Sequence, residues 1–265
     1  MFERYSVHKH FYGKPETKFQ KMLIPAGKRS GFYTVVSITV STDQVSVCTL
    51  TALQIPVQFT KKRCSIRRPM GESSEILKSA VAGARATLQS LVHLDGHVEK
   101  AAGLIEDCLG SGGKLLVCGN GGSAADASHF ATEFVVRFMK DRPAYPAICL
   151  AGDGGLLTAA GNDYGFDEIF ARQVAAFGLP GDLLICLTTS GKSRNVERAL
   201  QEAKARKLRT ITFLGRDGGS TIGMADVDLL VRGDLTARIQ EAHQLLLHVL
   251  CETVEARLIG KKKAR

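Results

Sequence analysis

The chain has 265 residues, 45% apolar and 23% charged, which is long enough for one large domain or two small ones with a full core. Its formal charge of +9 resembles a nucleic-acid signature only until it is located: residues 1–69 carry 12 Lys+Arg against 3 Asp+Glu, so the whole excess lies there and the remainder is balanced. No electrostatic case for DNA or RNA survives that distribution, and no apolar run approaches the ~18 residues of a membrane span.

Residues 1–69 differ in composition from the rest of the chain. A Val/Thr/Ser-rich alternating stretch from Phe32 to Thr60 predicts a hairpin, but it has few large apolar residues with which to build a core. No compact apolar segment succeeds the first basic residues, so a secretory signal is not expected. Met70-Gly71-Glu72-Ser73 reads as a natural start, with Ser73 or Ser74 placed to cap a helix running through Ile76, Leu77, Val81 and Leu88. The expectation is a basic extension over 1–69, poorly ordered or a misassigned start, before a domain over 70–265.

From Met70 the pattern alternates. Helices are predicted over about 74–91 and 96–108, then a short apolar strand at 114–118. Further strands are predicted at 146–151, 182–187, 210–214 and 228–231, with helices near 124–139, 166–177, 195–206 and 236–258. Continuously apolar strands alternating with helices predict an α/β fold, a parallel sheet covered on both faces. Ligands in such sheets gather at the carboxyl ends of the strands. The seven cysteines (48, 64, 108, 118, 149, 186, 251) show no paired spacing, which fits a reducing cytoplasm; Cys118, Cys149 and Cys186 read as small buried hydrophobes.

Two loops succeed predicted strands. Gly119-Asn120-Gly121-Gly122-Ser123 leads into a helix, where glycines admit a ligand to the backbone and free N–H groups attract an anion. Gly119, Gly121 and Ala124 also fit a dinucleotide fingerprint, but the acidic residue expected ~20 positions on is missing, since Asp153 lies 34 past Gly119. The second loop, Thr188-Thr189-Ser190-Gly191-Lys192-Ser193, contains Gly-Lys-Ser but lacks the leading glycine of a nucleotide P-loop, that position being Cys186. A hydroxyl-rich turn opening onto a helix suits a phosphate monoester.

His129 and Glu133, four apart, share one helical face; Gln240 and His248, eight apart, share another. Either pair alone reads as surface pairing or ordinary packing. Together they offer N, O, O and N donors acceptable to zinc, and a carboxylate with an imidazole suits proton shuttling near neutral pH.

The stretches CGNGGSAADASHFATEF, AAGNDYGF, LTTSGKSRNV and ARIQEAHQLLLH, in that order, resemble the SIS-domain phosphoheptose isomerases, the sedoheptulose 7-phosphate isomerase family. The resemblance spans about Met70 to Leu258. It implies a flavodoxin-like parallel sheet flanked by helices, and a homotetramer with active sites between subunits acting on a phosphorylated heptose. It also implies zinc ligation by His129, Glu133, Gln240 and His248, with Glu133 as base and His248 as acid. Substrate contacts are implied for Asn120, Gly121, Gly122, Asn162, Asp163, Thr188, Thr189, Ser190 and Ser193, besides Glu133 and Gln240. Thr188 stands where many relatives have serine, and the hydroxyl is kept. A non-enzymatic relative that binds the bacterial replication initiator lacks the equivalents of Glu133 and His248, which this chain retains. The motifs are also compatible with an isomerase of another phosphosugar, or with a regulatory domain that only binds one. No nucleic-acid or membrane partner is expected.

Overall fold

The computed structural model describes residues 17–25, 33–41, 44–46 and 72–263, and the chain divides into two compact units, Met1–Arg68 and Pro69–Arg265. In the first unit β1 (Thr17–Pro25), β2 (Tyr33–Ser41) and β3 (Gln44–Ser46) form an antiparallel sheet in that order. The hairpin expected over Phe32–Thr60 corresponds to β2 and β3, and the rest of that stretch lies outside the described residues. The expectation that 1–69 is poorly ordered or a misassigned start also falls largely outside them.

In the second unit, α1 (Glu72–Ser90), a 3-10 turn (Leu91–Leu94) and α2 (Asp95–Gly110) precede β4 (Leu115–Gly119). Then come α3 (Gly122–Val135), β5 (Ala147–Cys149), α4 (Gly154–Tyr164) and α5 (Ala171–Phe177). The chain continues through β6 (Leu183–Thr188), α6 (Arg194–Ala205), β7 (Arg209–Gly215), β8 (Val227–Val231) and α7 (Thr236–Lys263). All five strands are parallel in the order β5-β4-β6-β7-β8, the flavodoxin-like arrangement.

Why these residues make a two-faced sheet is visible in the period-two alternation. Leu115, Val117, Leu183, Ile185, Leu187, Ile211 and Phe213 point to one face, where α2, α3 and α7 cover them with Ile105, Phe130, Ile239, Leu246 and Val254. Leu116, Cys118, Leu184 and Cys186 point to the other, against Phe170, Val174, Val196 and Leu200 of the α5 and α6 side. Cys118 and Cys186 are fully buried and sit opposite each other across β4 and β6, as expected of small hydrophobes.

Several elements depart from the sequence reading. α1 begins at Glu72, so Ser73 and Ser74, expected as caps, lie inside the helix; β5 is shorter than the strand expected at 146–151, and α7 runs past 258 to Lys263. Residues 154–164 form a helix that the apolar pattern does not predict, capped by Asp153, whose carboxylate accepts from the Leu156 N–H at 3.0 Å. The predicted helix at 124–139 stops at Val135, because the Phe138, Met139 and Lys140 N–H groups donate to the Glu255 carboxylate from α7 instead of to helix carbonyls. The expected helix at 166–177 splits into a 3-10 turn (Phe166–Glu168) and α5.

Candidate active site

The strand order reverses between β4 and β6, and both loops leave their strands there. The register Gly119↔Leu187 brings Asn120 beside Thr188 at the carboxyl edge. The loops are tied together by Asn120 and Asn195, whose side-chain amides each donate to the other's oxygen at 2.9 Å. Asn195 is buried on the first turn of α6; it lies within the LTTSGKSRNV stretch, but nothing in the sequence alone singles it out.

The hydroxyl loop is internally organised. Thr188 is buried, and its Oγ1 lies 3.1 Å from the Ser193 hydroxyl and 3.4 Å from that of Ser190, while the Gly191 N–H donates to it at 3.2 Å. The Lys192 N–H donates to Ser190 Oγ at 3.2 Å. Ser193 therefore turns its hydroxyl towards Thr188 and does not cap α6, which leaves the first-turn N–H groups of α6 without that acceptor. Thr189 and Ser190 are half-buried at the mouth. At the other loop Gly121 takes φ +57°, a conformation suited to glycine, as α3 begins.

The chemistry-bearing residues lie along the seam between α3 and α7. Three contacts set its register: the Gln240 amide lies against Gly122, Gln244 Nε2 donates to Asp126 Oδ1 at 2.5 Å, and the His248 ring meets the His129 ring edge-on, with centroids 5.1 Å apart. Residue numbers rise together on both helices, so they run parallel, and steps of about four keep successive contacts on one face. One turn beyond His129, Glu133 Oε1 lies 2.9 Å from His129 Nε2. His129 thus touches both Glu133, one turn on along α3, and His248 of α7. Gln240 sits at the other end of the seam, about 12 Å from His248 along the α7 axis at 1.5 Å per residue. In this arrangement, among the described residues, no three His, Cys, Asp or Glu side chains converge at ligand distance, and the His129–Glu133 hydrogen bond engages two of the implied metal donors.

Two further buried groups lie close by, Asp126 at the seam and His243 where α7 packs on β7. Asp126 is buried with Oδ2 unpartnered, and burial raises its carboxyl pKa against the hydrogen bond from Gln244. His243, wholly buried, pairs Nε2 with the Leu214 carbonyl at 3.1 Å, and burial pushes its pKa down to about 4, so it is neutral near pH 7. Phe138 closes the His248 side, with rings 5.6 Å apart. Asn162 and Asp163 lie on α4, where Asn162 Nδ2 donates to Asp163 Oδ1 at 2.9 Å, and no described hydrogen bond joins them to the loops or the seam.

The four sequence signatures therefore occupy two adjoining places: an anion-suited pair of loops over the sheet's switch point, and a His–Glu–His cluster on the neighbouring helix seam. Comparison with known proteins gives the family. The SIS domain model matches residues 81–215, half of the chain. A phosphoheptose isomerase of Geobacter sulfurreducens is 51% identical over 175 residues, covering 66% of this chain and 93% of that relative. The solved phosphoheptose isomerase of Neisseria gonorrhoeae superposes with a TM-score of 0.66 at 42% identity, over 69% of this chain and 99% of that one. That of Francisella tularensis gives 0.66 at 39%, over 69% and 97%. Taken with the parallel sheet and the loops at its switch point, these matches place the chain in the SIS-domain phosphoheptose isomerase family.

Proposed function

We propose that this chain interconverts D-sedoheptulose 7-phosphate and D-glycero-D-manno-heptose 7-phosphate by proton transfer through an enediol. The observation that carries the reading is the cluster at the seam, with Glu133 2.9 Å from His129 and His248 packed against His129, beside two loops suited to a phosphate. In the ketose-to-aldose direction Glu133 takes a proton from C1 while His248 supplies one to the carbonyl oxygen at C2. The enediol then collapses as a proton is delivered to C2 and the C1 hydroxyl loses its own, so atoms and charge balance. The phosphate at C7 is held by the Thr189, Ser190 and Ser193 hydroxyls and the N–H groups opening α6, with Thr188 bracing the loop from beneath. Asn120, Gly121 and Gly122 line the opposite wall, and Asn195 fixes Asn120 there.

The donor types suit zinc, two imidazoles, a carboxylate and an amide along one seam, but the donors stand apart here, with Gln240 about 12 Å along α7 from His248, so ligation requires them to draw together. His129, Glu133, Gln240 and His248 would hold it, and when bound it supplies Lewis-acid stabilisation of oxygen charge. Ligation requires the His129–Glu133 hydrogen bond to open. Chelation should abolish turnover and added zinc restore it, with metal content followed by elemental analysis.

Gly122 offers a local test of the seam. A Cβ there would run into the Gln240 amide nitrogen, so Gly122→Ala evicts that side chain from its seat. Activity is expected to fall about 100-fold, the scale of a 1 Å misplacement, with the melting temperature nearly unchanged since alanine suits the start of α3. Kinetics and thermal melting check both halves.

Several exposed apolar residues support a homotetramer with sites between subunits: Ile76, Leu77 and Val81 on α1, Leu156 and Tyr164 on α4. On that reading Asn162 and Asp163 of α4 complete a site of the assembly. Free cysteines and the lack, among the described residues, of a helix long and apolar enough to cross a membrane accord with a cytoplasmic setting, where the product would supply activated heptose for lipopolysaccharide or capsule. Retention of Glu133 and His248 favours catalysis over binding of a replication initiator. Turnover in deuterium oxide tests the mechanism: deuterium at C2 of the aldose is expected, and product free of deuterium would contradict proton exchange at Glu133.

A further inference from the structure

The loop after β7, residues 216–223, has no part in the proposed proton transfer, yet it is locked to the hydroxyl loop. The Gly191 carbonyl accepts from the Thr221 N–H at 3.0 Å, from the Thr221 hydroxyl at 2.9 Å and from the Ser220 hydroxyl at 3.4 Å. Thr221 is fully buried. Gly191 adopts φ +61°, and a Cβ on it would run into the Gly218 carbonyl, so the two loops are packed backbone to backbone. Ser220 also donates to Glu197 of α6, which Arg194 pairs from the other side at 2.9 Å, so the same clamp reaches the first turn of that helix.

The consequence comes from peptide geometry. In a trans peptide C=O and N–H point in opposite directions, and no described peptide is cis. Drawing the Gly191 carbonyl down to Thr221 therefore turns the Lys192 N–H the other way, where it donates to Ser190 Oγ. Glycine at 191 makes that peptide plane free to rotate unless something holds it.

We propose that Thr221 is a positioning residue for the substrate phosphate: it fixes the plane of the Gly191–Lys192 peptide, and through it the Ser190 hydroxyl. This rests on reading Thr188–Ser193 as the phosphate loop. Thr221→Val keeps the shape and removes the side-chain donor at 2.9 Å, leaving the Gly191 carbonyl to the position-221 N–H and the longer Ser220 contact, a looser hold on the peptide plane. Phosphate is held alike in ground and transition states, so the loss falls on KM.

The test uses the full chain, sedoheptulose 7-phosphate as substrate and inorganic phosphate as a competitive probe. Thr221→Val should raise KM about tenfold and weaken phosphate inhibition by the same factor, the scale of one net hydrogen bond, with kcat within about twofold. Thr221→Ser, which returns the hydroxyl, should restore both. Unchanged KM and phosphate inhibition, or a fall confined to kcat, overturns the assignment while leaving the isomerase intact. Should the valine variant fail to fold, the unaltered protein still decides: phosphate must shift the Lys192 amide resonance, and a silent Lys192 overturns the proposal. No turnover and no phosphate competition in the unaltered protein would sink the functional reading and this inference with it.

Discussion

Glu133→Gln is expected to lower kcat at least about 10³-fold while the protein stays folded. Glutamine keeps the size and the hydrogen-bonding face but cannot take a proton, and general-base catalysis typically contributes 10²–10⁴-fold. The predicted loss corresponds to roughly 4 kcal/mol of transition-state stabilisation. Little structural cost is expected, because the Glu133 side chain is partly exposed and its described hydrogen bond is to His129, itself half-open to solvent. Steady-state kinetics beside a thermal melt separate the two effects. Near-normal turnover would remove Glu133 from the mechanism, whereas loss of turnover with loss of fold would assign it a structural role.

The largest expected effect on stability comes from a residue outside the chemistry. Glu255, buried on α7, accepts from the Phe138, Met139 and Lys140 N–H groups at 3.2, 3.0 and 2.9 Å and from Arg142 Nε at 3.1 Å. Arg142 in turn donates to the Phe134 carbonyl at 2.9 Å, so one carboxylate and one guanidinium satisfy the segment that ends α3. Glu255→Ala leaves Arg142 buried without its partner and three N–H groups without an acceptor. A cost of about 3–5 kcal/mol is expected, as for other broken buried ion pairs. For a domain of this size that lowers the melting temperature by roughly 10 °C. Phe138 would lose its anchor beside His248, so activity should fall as well.

The same group sets a pH dependence. Burial by itself would raise the Glu255 carboxyl, but the three backbone N–H groups and Arg142 outweigh it and hold its pKa below the usual range. A depressed native pKa means that this stabilisation is complete above the unfolded value of about 4.3. It is lost as pH falls through the lower native value. Acid unfolding below about pH 4 should be shallower in Glu255→Gln than in the unaltered protein.

Much of this architecture is legible in the sequence because the sheet is buried on both faces. Leu115–Cys118 and Leu183–Leu187 are apolar at every position, a pattern that needs no alignment to read as parallel strands. The loops are legible for the same reason, since each begins where an apolar run stops at Gly119 or Thr188. Less is legible where a distant side chain decides the backbone. Helical periodicity carries α3 on to Met139, but Glu255, over a hundred positions away, supplies the acceptor that ends it at Val135. The helix over 154–164 is hard to see because its glycines lower helix propensity; the one signal is Asp153 in the N-cap position.

The site divides in the same way. Spacings of four and eight place His129 with Glu133 and Gln240 with His248 on helix faces, but not one helix against the other. That register comes from Gln244 meeting Asp126 and from a glycine at 122 leaving room for the Gln240 amide. Asn195 carries a signal only once Asn120 is seen opposite it, and Thr221 none at all, because its partner is a backbone carbonyl thirty residues earlier. Asn162 and Asp163 stand on α4, with no described hydrogen bond to the loops or the seam they are expected to serve.

Catalysis of a heptose phosphate isomerisation is decided by a product assay on the full chain. Sedoheptulose 7-phosphate with zinc-supplemented protein, followed by NMR, should yield D-glycero-D-manno-heptose 7-phosphate up to a fixed equilibrium ratio, reached from either side. Folded, zinc-loaded protein that leaves the ketose untouched would rule out this isomerisation.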